Sequence, residues 1–402
     1  MKSLNKSFTF SGFLFANRCL HMRNAFMMML AVSLFSSCSS SFTKNIFSHK
    51  TPHEAYADRL DDKGLDKTPQ GKQWIAASRA ALEHPVEVEL PNKVQVYYRS
   101  EKPGALGLEF SARQGEKLNF VINKRSPFVL YADLFRRGTN EYPLLSVDTA
   151  NSTFSFDVDE TADYVLRLQP ELFKAADYTL SIAVGPSLDF PVSGASAKPG
   201  SYWGDDRDAG KRRHEGVDIF APRRTPVVAA ADGTITAVRE GGLGGKTVWL
   251  TPEGKPYSLY YAHLDEQLVH EGQSVKKGAV LGLVGNTGNA KNTASHLHFG
   301  VFTFHGAVDP LPFIDRSVKK APSLTEKDLK SNLRLKKSLT GVNGLLVPTN
   351  TILQPVALTS KGYIAELPDG QLIEVSPNAV EPVVSKRPKV IAAEGSKRTS
   401  RR

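Results

Sequence analysis

Cysteine is nearly absent from the chain. Two residues in 402, Cys19 and Cys38, cannot build a disulfide framework, and both precede the segments able to form a core. Long apolar runs are missing too. The uncharged stretch from Ala25 to Phe35 holds eleven residues, against the roughly 20 that a membrane-crossing helix needs. No acidic excess exists: 51 Lys and Arg face 41 Asp and Glu, a net charge of +10. Such a surface suits an anionic partner: nucleic acid, anionic lipid or an acidic polymer such as cell wall. Nothing in the pattern supports nucleic acid, because a recognition helix, a zinc knuckle and an aromatic-basic strand pair are all lacking. What is present is an ordinary globular composition, 41% hydrophobic and 23% charged, in a length that suggests two or three domains.

The ends and the middle differ in character. Arg23, the apolar run and the small residues of LFSSCSSS resemble a bacterial lipoprotein signal, so residues 1–38 read as an export signal with Cys38 as the lipid acceptor. By that resemblance Ser39 implies sorting to the outer membrane, with the chain facing the periplasm. Residues 39–85 read as a tether followed by a short helix near Lys72–Leu82, where Trp74, Ala77 and Ala81 recur at helical spacing and Pro85 ends the run. From 86 to 185 the pattern changes to short alternating segments (VEVEL, VQVYY, GLEFSA, LNFVINK, PFVLYADLF, STFSFDV, DYVLRLQ, YTLSIAV) broken by Gly, Asn, Asp or Pro. That is the signature of a β-sandwich. It carries no ligand-spaced cluster, so it serves either binding or spacing.

Residues 186–205 are a Gly/Pro/Ser-rich linker or long loop. The strand-rich stretch that follows, 190–315 with its entry segment, holds the chemistry. Residues 316–339 form a basic linker, with a helical piece expected in LTEKDLKSNLRLKK (Leu324–Lys337). Residues 340–384 are β-rich, with a hairpin turning at Pro368-Asp369-Gly370, and suggest a small SH3-like barrel. The tail 385–402 is basic and expected to be disordered: from Lys386 onward it holds seven Lys/Arg and one Glu, six of the ten net charges. The whole chain is therefore expected to be mostly β.

Five residues capable of binding metal or moving protons stand between 214 and 298: His214, Asp218, His263, His296 and His298. In HLH, residues i and i+2 of a strand face one way, so His296 and His298 project together. In HEGVD, His214 and Asp218 can share a face in a strand or a helix. Gly216, the β-branched Val217 and Ile219, and Pro222 argue for a strand. The helical H-E-x-x-H zinc motif is thereby set aside, and Glu215 points away from the His214 face. Catalytic zinc takes three protein ligands plus a water. His214, Asp218 and one histidine of the HLH pair fit that set, and the other histidine and His263 then form a second rank able to carry protons. His270 and His305 lie outside the motifs and are expected at the surface. Of Tyr260 and Tyr261, one is expected in the core and the other along a groove. Asn286 and Thr287 read as turn formers.

HEGVD, YAHLD and SHLHFG, in this order, are similar to the motifs of lysostaphin/LytM-type zinc endopeptidases. TPVVAAADGTI, HEGQSVKKGAVLGLVGNTG and the entry segment FPVSG share the resemblance. It covers residues 190–315. It implies an antiparallel β-sheet domain with a narrow groove, one zinc ion held by His214, Asp218 and His298, and catalytic roles for His263 and His296. The implied substrate is peptidoglycan, cut in its peptides. Arg224 stands where that family has Gly, LGGKT (Leu243–Thr247) replaces its usual turn, and the loop Asn289–Ser295 is longer. These departures touch turns and groove walls, not ligands.

The combined expectation is a zinc-dependent endopeptidase that remodels the cell wall, anchored to a membrane by an N-terminal lipid, with peptidoglycan rather than nucleic acid as its partner. The competing reading is a catalytically silent envelope scaffold or activator of wall amidases.

Overall fold

The computed structural model describes residues 50–383 apart from 140, 141, 150, 151, 208, 341–343 and 345. The expected signal with Cys38, most of the tether and the basic tail lie outside the described residues. Where the sequence alternates, strands form. Five of them (Val86–Glu87, Leu106–Ala112, Leu130–Arg136, Leu145–Asp148 and Ala162–Pro170) make one sheet. Asn92–Tyr98, Glu116–Lys124, Thr153–Asp157 and Ala176–Pro186 lie in a second. Leu106, Leu108 and Phe110 of the first pack with Leu118, Phe120 and Ile122 of the second in a common core. The period-two alternation is thus the cause of the two-layer architecture.

Two helices precede this sandwich. The first, α1 (Pro52–Asp62), is capped by Thr51, whose hydroxyl accepts from the Glu54 N–H while the Glu54 carboxylate accepts from the Thr51 N–H. The second, α2 (Pro69–Glu83), is capped by Thr68 and carries the expected Trp74 and Ala81 on its buried face. The first helix was not expected; its mean pattern is polar, and only His53 and Leu60 are buried. What orders it is tertiary. His53 stacks on Trp74 with ring centroids 4.8 Å apart and meets Gln169 of the sandwich at 2.6 Å. Trp74 Nε1 donates to the Pro170 carbonyl. Arg167 links the Ser78 hydroxyl to the buried Asp133 carboxylate.

A second correction concerns 316–339. Among the described residues no helix forms in Leu324–Lys337; the chain runs extended into a strand, Leu333–Leu335. The side chain of Gln95 holds it, donating to the Lys327 carbonyl and accepting from the Lys327 N–H. Arg99 adds a bond to the Lys330 carbonyl. Leu329, Leu333 and Leu335 enter a small core with Leu353, Ile373 and Val375. That core is local to the C-terminal strands, yet its sheet is not separate: Ile352–Leu358 pairs with Asn92–Tyr98, so these strands extend the second sheet of the sandwich.

The segment 217–308 supplies seven strands of an eight-stranded antiparallel sheet, and Lys198–Ser201 is the eighth. Its neighbours run in the order Lys198–Ser201, Val217–Phe220, His296–Thr303, Tyr257–Leu264, Gly245–Pro252 and Gly233–Gly241. One face is apolar: Val217, Ile219, Val248, Leu250, Leu259, Tyr261, Leu297, Phe299 and Val301 are fully buried. Each such side chain contributes about 1.5–3 kcal/mol, which leaves the opposite face free to carry polar groups. The part expected to be a linker, 186–205, is built into this unit through Val192, which bridges Val227. A short helix, α3 (Leu311–Ile314), docks the unit on the sandwich. Phe313 lies where a Cβ on Gly115 would come within 2.3 Å, and Lys255 pairs with Asp157 and Asp159.

Burial, and then the Arg167 guanidinium, lower the pKa of His53 to about 4 from its ordinary 6.5. The folded state therefore binds fewer protons than the unfolded one between those values. Stability from this group is complete above pH 6.5 and is lost as pH falls toward 4, at about 1.4 kcal/mol per pH unit in mid-window. Urea unfolding followed by tryptophan fluorescence should show this loss between pH 7 and 5, and His53→Gln should flatten it. An unchanged pH slope in that variant would contradict the assignment.

Candidate metal and catalytic site

The strand pairing assembles the site. Asp218 stands directly opposite His298, and Phe220 opposite His296, in adjacent antiparallel strands. With Leu297 and Phe299 turned into the core, His296 and His298 share the other face, as their spacing predicts. His214 differs from expectation: it precedes the strand, which begins at Val217. Its backbone N–H donates to the Asp205 carbonyl, and the ring folds back over Asp218. Gly216 makes room for this. A Cβ there would sit 2.6 Å from His298 Cε1. Glu215 is exposed, consistent with its exclusion.

His214 Nε2, Asp218 Oδ1 and His298 Nδ1 form a triangle with every edge 3.0 Å. His214 and Asp218 are buried, and His298 is half-buried. The His214 Nδ1–H donates to the Tyr202 carbonyl at 2.8 Å. That bond fixes the tautomer and leaves a bare lone pair on Nε2. Two imidazole lone pairs and a carboxylate oxygen thus converge on one point. Tetrahedral zinc with bonds near 2.0–2.1 Å separates its ligands by about 3.3 Å, so the triangle fits such an ion with a few tenths of an ångström of relaxation. No other group of three or more His, Cys, Asp or Glu with this geometry occurs among the described residues.

Burial raises the Asp218 carboxyl, but when the His214 and His298 rings carry protons in place of a metal ion, their hydrogen bonds and charge outweigh burial and hold the group below the usual carboxylate range. The second oxygen, Oδ2, accepts from Arg207 at 2.8 Å, and Arg207 also donates to the Ser201 hydroxyl. Sequence reasoning missed Arg207. Nothing in its spacing marks it, since it belongs to a short hairpin (Asp206–Arg207 with Arg212–Arg213) outside the main sheet.

His263 reaches the site by a different device. In the Tyr257–Leu264 strand, Leu259 and Tyr261 face the core while Tyr260 is half-exposed on the site face, so strict alternation would send His263 to the core. Its φ is +63°, a left-handed conformation costing about 1–2 kcal/mol for a non-glycine residue. The register against Gly245–Pro252 also slips by one between Lys246 and Val248, a bulge at the same place. Together they turn the ring onto the site face, 5.1 Å from His296 and 5.8 Å from His298 between centroids. The twisted backbone is held by its N–H to the Gly244 carbonyl, and the ring Nδ1–H donates to the Thr287 carbonyl at 2.9 Å. Thr287, expected only to form a turn, therefore also orients His263. Its hydroxyl ties Lys246 N–H to the Leu264 carbonyl.

His296 repeats the pattern, its Nδ1–H donating to the Ala294 carbonyl at 2.8 Å. Its Nε2 stands 3.9 Å from Asp218 Oδ1. Burial, then His296 and His298, lower the His263 pKa to about 4; burial also lowers that of His298. His270 and His305 are exposed, as expected.

Residues 212–310 match the model of peptidase family M23. Over 101 residues the chain is 44% identical to an uncharacterized metalloprotease of Haemophilus influenzae, covering 25% of this chain and 21% of that one. It is 32% identical over 126 residues to the peptidoglycan DD-endopeptidase ShyA of Vibrio cholerae, covering 31% and 28%. The chain thus spans less than a third of either relative's length. Among solved structures, the catalytic domain of lysostaphin from Staphylococcus simulans is 34% identical, with 29% of this chain and 91% of that one covered and a TM-score of 0.27. Residues 212–310 therefore form a peptidase family M23 domain.

Proposed function

We propose that the protein is a zinc-dependent endopeptidase that hydrolyses peptide cross-links of bacterial peptidoglycan. The observation that carries this reading is the division of five residues into two kinds. Three converge as a ligand set, and two, His263 and His296, present their Nε2 atoms beside it with Nδ1 tied to backbone carbonyls. Relatives named as peptidoglycan DD-endopeptidases support the substrate.

His214, Asp218 and His298 would hold the zinc ion. When bound, zinc makes water acidic enough to deprotonate near neutral pH and polarises a carbonyl. The chain's own residues do the rest. With Nδ1–H donating to Thr287, neutral His263 has its Nε2 lone pair available to take the proton of an attacking water, and a pKa near 4 keeps it neutral at working pH. His263 then passes that proton to the leaving amine, while His296, held with Nδ1 on the Ala294 carbonyl, directs Nε2 to the position of the developing oxyanion, which it hydrogen-bonds when Nε2 carries a proton. Arg207 holds Asp218 Oδ2 and leaves Oδ1 to the ligand triangle. No carboxylate base takes part.

Cys38 is proposed as the lipid-bearing residue that places the protein at the envelope, on the periplasmic side of the outer membrane. The small C-terminal β unit is proposed as an SH3-like wall-binding element.

Purified sacculi incubated with the protein should lose cross-linked muropeptide dimers. His263→Ala and His296→Ala should each lower that rate by about 100-fold or more. Release of whole stem peptides would indicate amidase chemistry instead, and intact dimers with the zinc-loaded wild type would favour the silent scaffold. Arg207→Met should weaken zinc binding by about 10–100-fold in a chelator competition; unchanged affinity would remove Arg207 from the support of Asp218.

A further inference from the structure

The face of the sheet that carries the metal-ligand set does not end at His298. Alternation places Gly300 and Phe302 on the same face of the His296–Thr303 strand, Tyr260 and Ser258 on that of Tyr257–Leu264, and Trp249 and Thr251 on that of Gly245–Pro252. Trp249 is the register partner of Tyr260, and Tyr260 of Gly300. The three rings form one patch: centroids lie 4.5 Å apart for Trp249 and Tyr260, 5.1 Å for Trp249 and Phe302, and 5.9 Å for Tyr260 and Phe302. Tyr260 in turn meets the His298 ring at 5.9 Å. All three aromatic residues are only half-buried. Gly300 is what lets the patch lie flat, since a Cβ there would strike the Phe302 ring at 2.7 Å. At the edge of the patch, the hydroxyls of Thr251 and Ser258 stand 3.2 Å apart on the same face, both half-exposed.

We propose that Trp249, Tyr260 and Phe302, with Thr251 and Ser258, form a saccharide-binding shelf that takes a sugar ring of the glycan attached to the cleaved peptide. The proposal rests on the endopeptidase reading for the identity of the substrate. Three features favour a sugar over other occupants. An aromatic face is electronegative, and the axial C–H bonds of a pyranose present a flat, weakly positive surface to it. The shelf itself carries no charged side chain, so it offers nothing to a carboxylate or an ammonium group, whereas the paired hydroxyls at its edge match ring hydroxyls. Its position also fits. His298 and Phe302 are four strand residues apart, about 13 Å, and an extended peptide covers about 3.3–3.6 Å per residue. A ring on the far part of the shelf is therefore joined to the scissile bond by a stem of about four residues.

The test compares two substrates: a peptide-cross-linked muropeptide dimer carrying its disaccharides, and the same dimer stripped of sugar. Wild type should cut the sugar-bearing dimer with the higher kcat/KM, the difference lying in KM. Trp249→Ala should reduce that preference about tenfold, and Trp249→Phe, which keeps a ring, should largely retain it. Zinc content and near-ultraviolet circular dichroism verify that the variants are folded. Absence of any sugar preference in wild type, or an equal loss on both dimers in Trp249→Ala, overturns the shelf while leaving the endopeptidase reading intact. If neither dimer is cut, the endopeptidase reading fails, and the shelf is judged by fluorescence titration of wild type and Trp249→Phe with the uncut sugar-bearing dimer. Saturable binding weakened only modestly in Trp249→Phe supports the shelf, and no saturable binding by wild type overturns it.

Discussion

Three electron-rich atoms held 3.0 Å from one another are the constraint on which the rest of this domain depends. With neither a proton nor a cation between them they repel, and burial makes the repulsion worse by removing water. The chain opposes this with rigid framework. Asp218 and His298 are fixed as cross-strand partners over a face packed with Val217, Ile219, Leu297 and Phe299. His214 is fixed by the Asp205 and Tyr202 carbonyls. Arg207 offsets the charge of Asp218 from the side away from the triangle. A divalent cation removes the repulsion altogether, which is the physical sense in which these residues fit zinc.

The same framework sorts the remaining histidines by tautomer. His214, His263 and His296 each donate Nδ1–H to a backbone carbonyl, so each offers Nε2. Only His214 has its Nε2 in the triangle. One repeated hydrogen bond thus serves the proposed ligand in one place and the proposed proton carriers in two others, the difference being set by where the strands put each ring.

Much of this was legible in the sequence because it follows from period two. HLH on one face and Tyr261 in the core with Tyr260 outside it follow from alternation, whereas Asp218 reaches His298 through strand pairing and Glu215 lies exposed ahead of the strand, where alternation does not apply. His263 was legible only as a residue type. Its approach depends on a left-handed residue and a bulge, which break alternation and leave no mark in composition. Arg207 was invisible because it comes from a short hairpin outside the main sheet, which no periodic pattern marks. Errors elsewhere have a common cause as well. The polar first helix is ordered by His53 and Leu60 packing on a distant Trp74, Tyr131 and Leu172. The helical propensity of Leu324–Lys337 is overruled by backbone bonds to Gln95. Long-range contacts decided both, and local pattern carries no information about them.

The central claim is that five residues divide into three that hold metal and two that move protons. Elemental analysis of zinc in purified single variants tests it most directly. His214→Ala, Asp218→Ala and His298→Ala should each lose stoichiometric zinc, while His263→Ala and His296→Ala should keep it. Retention of zinc by any of the first three, or its full loss from either of the last two, would contradict the division.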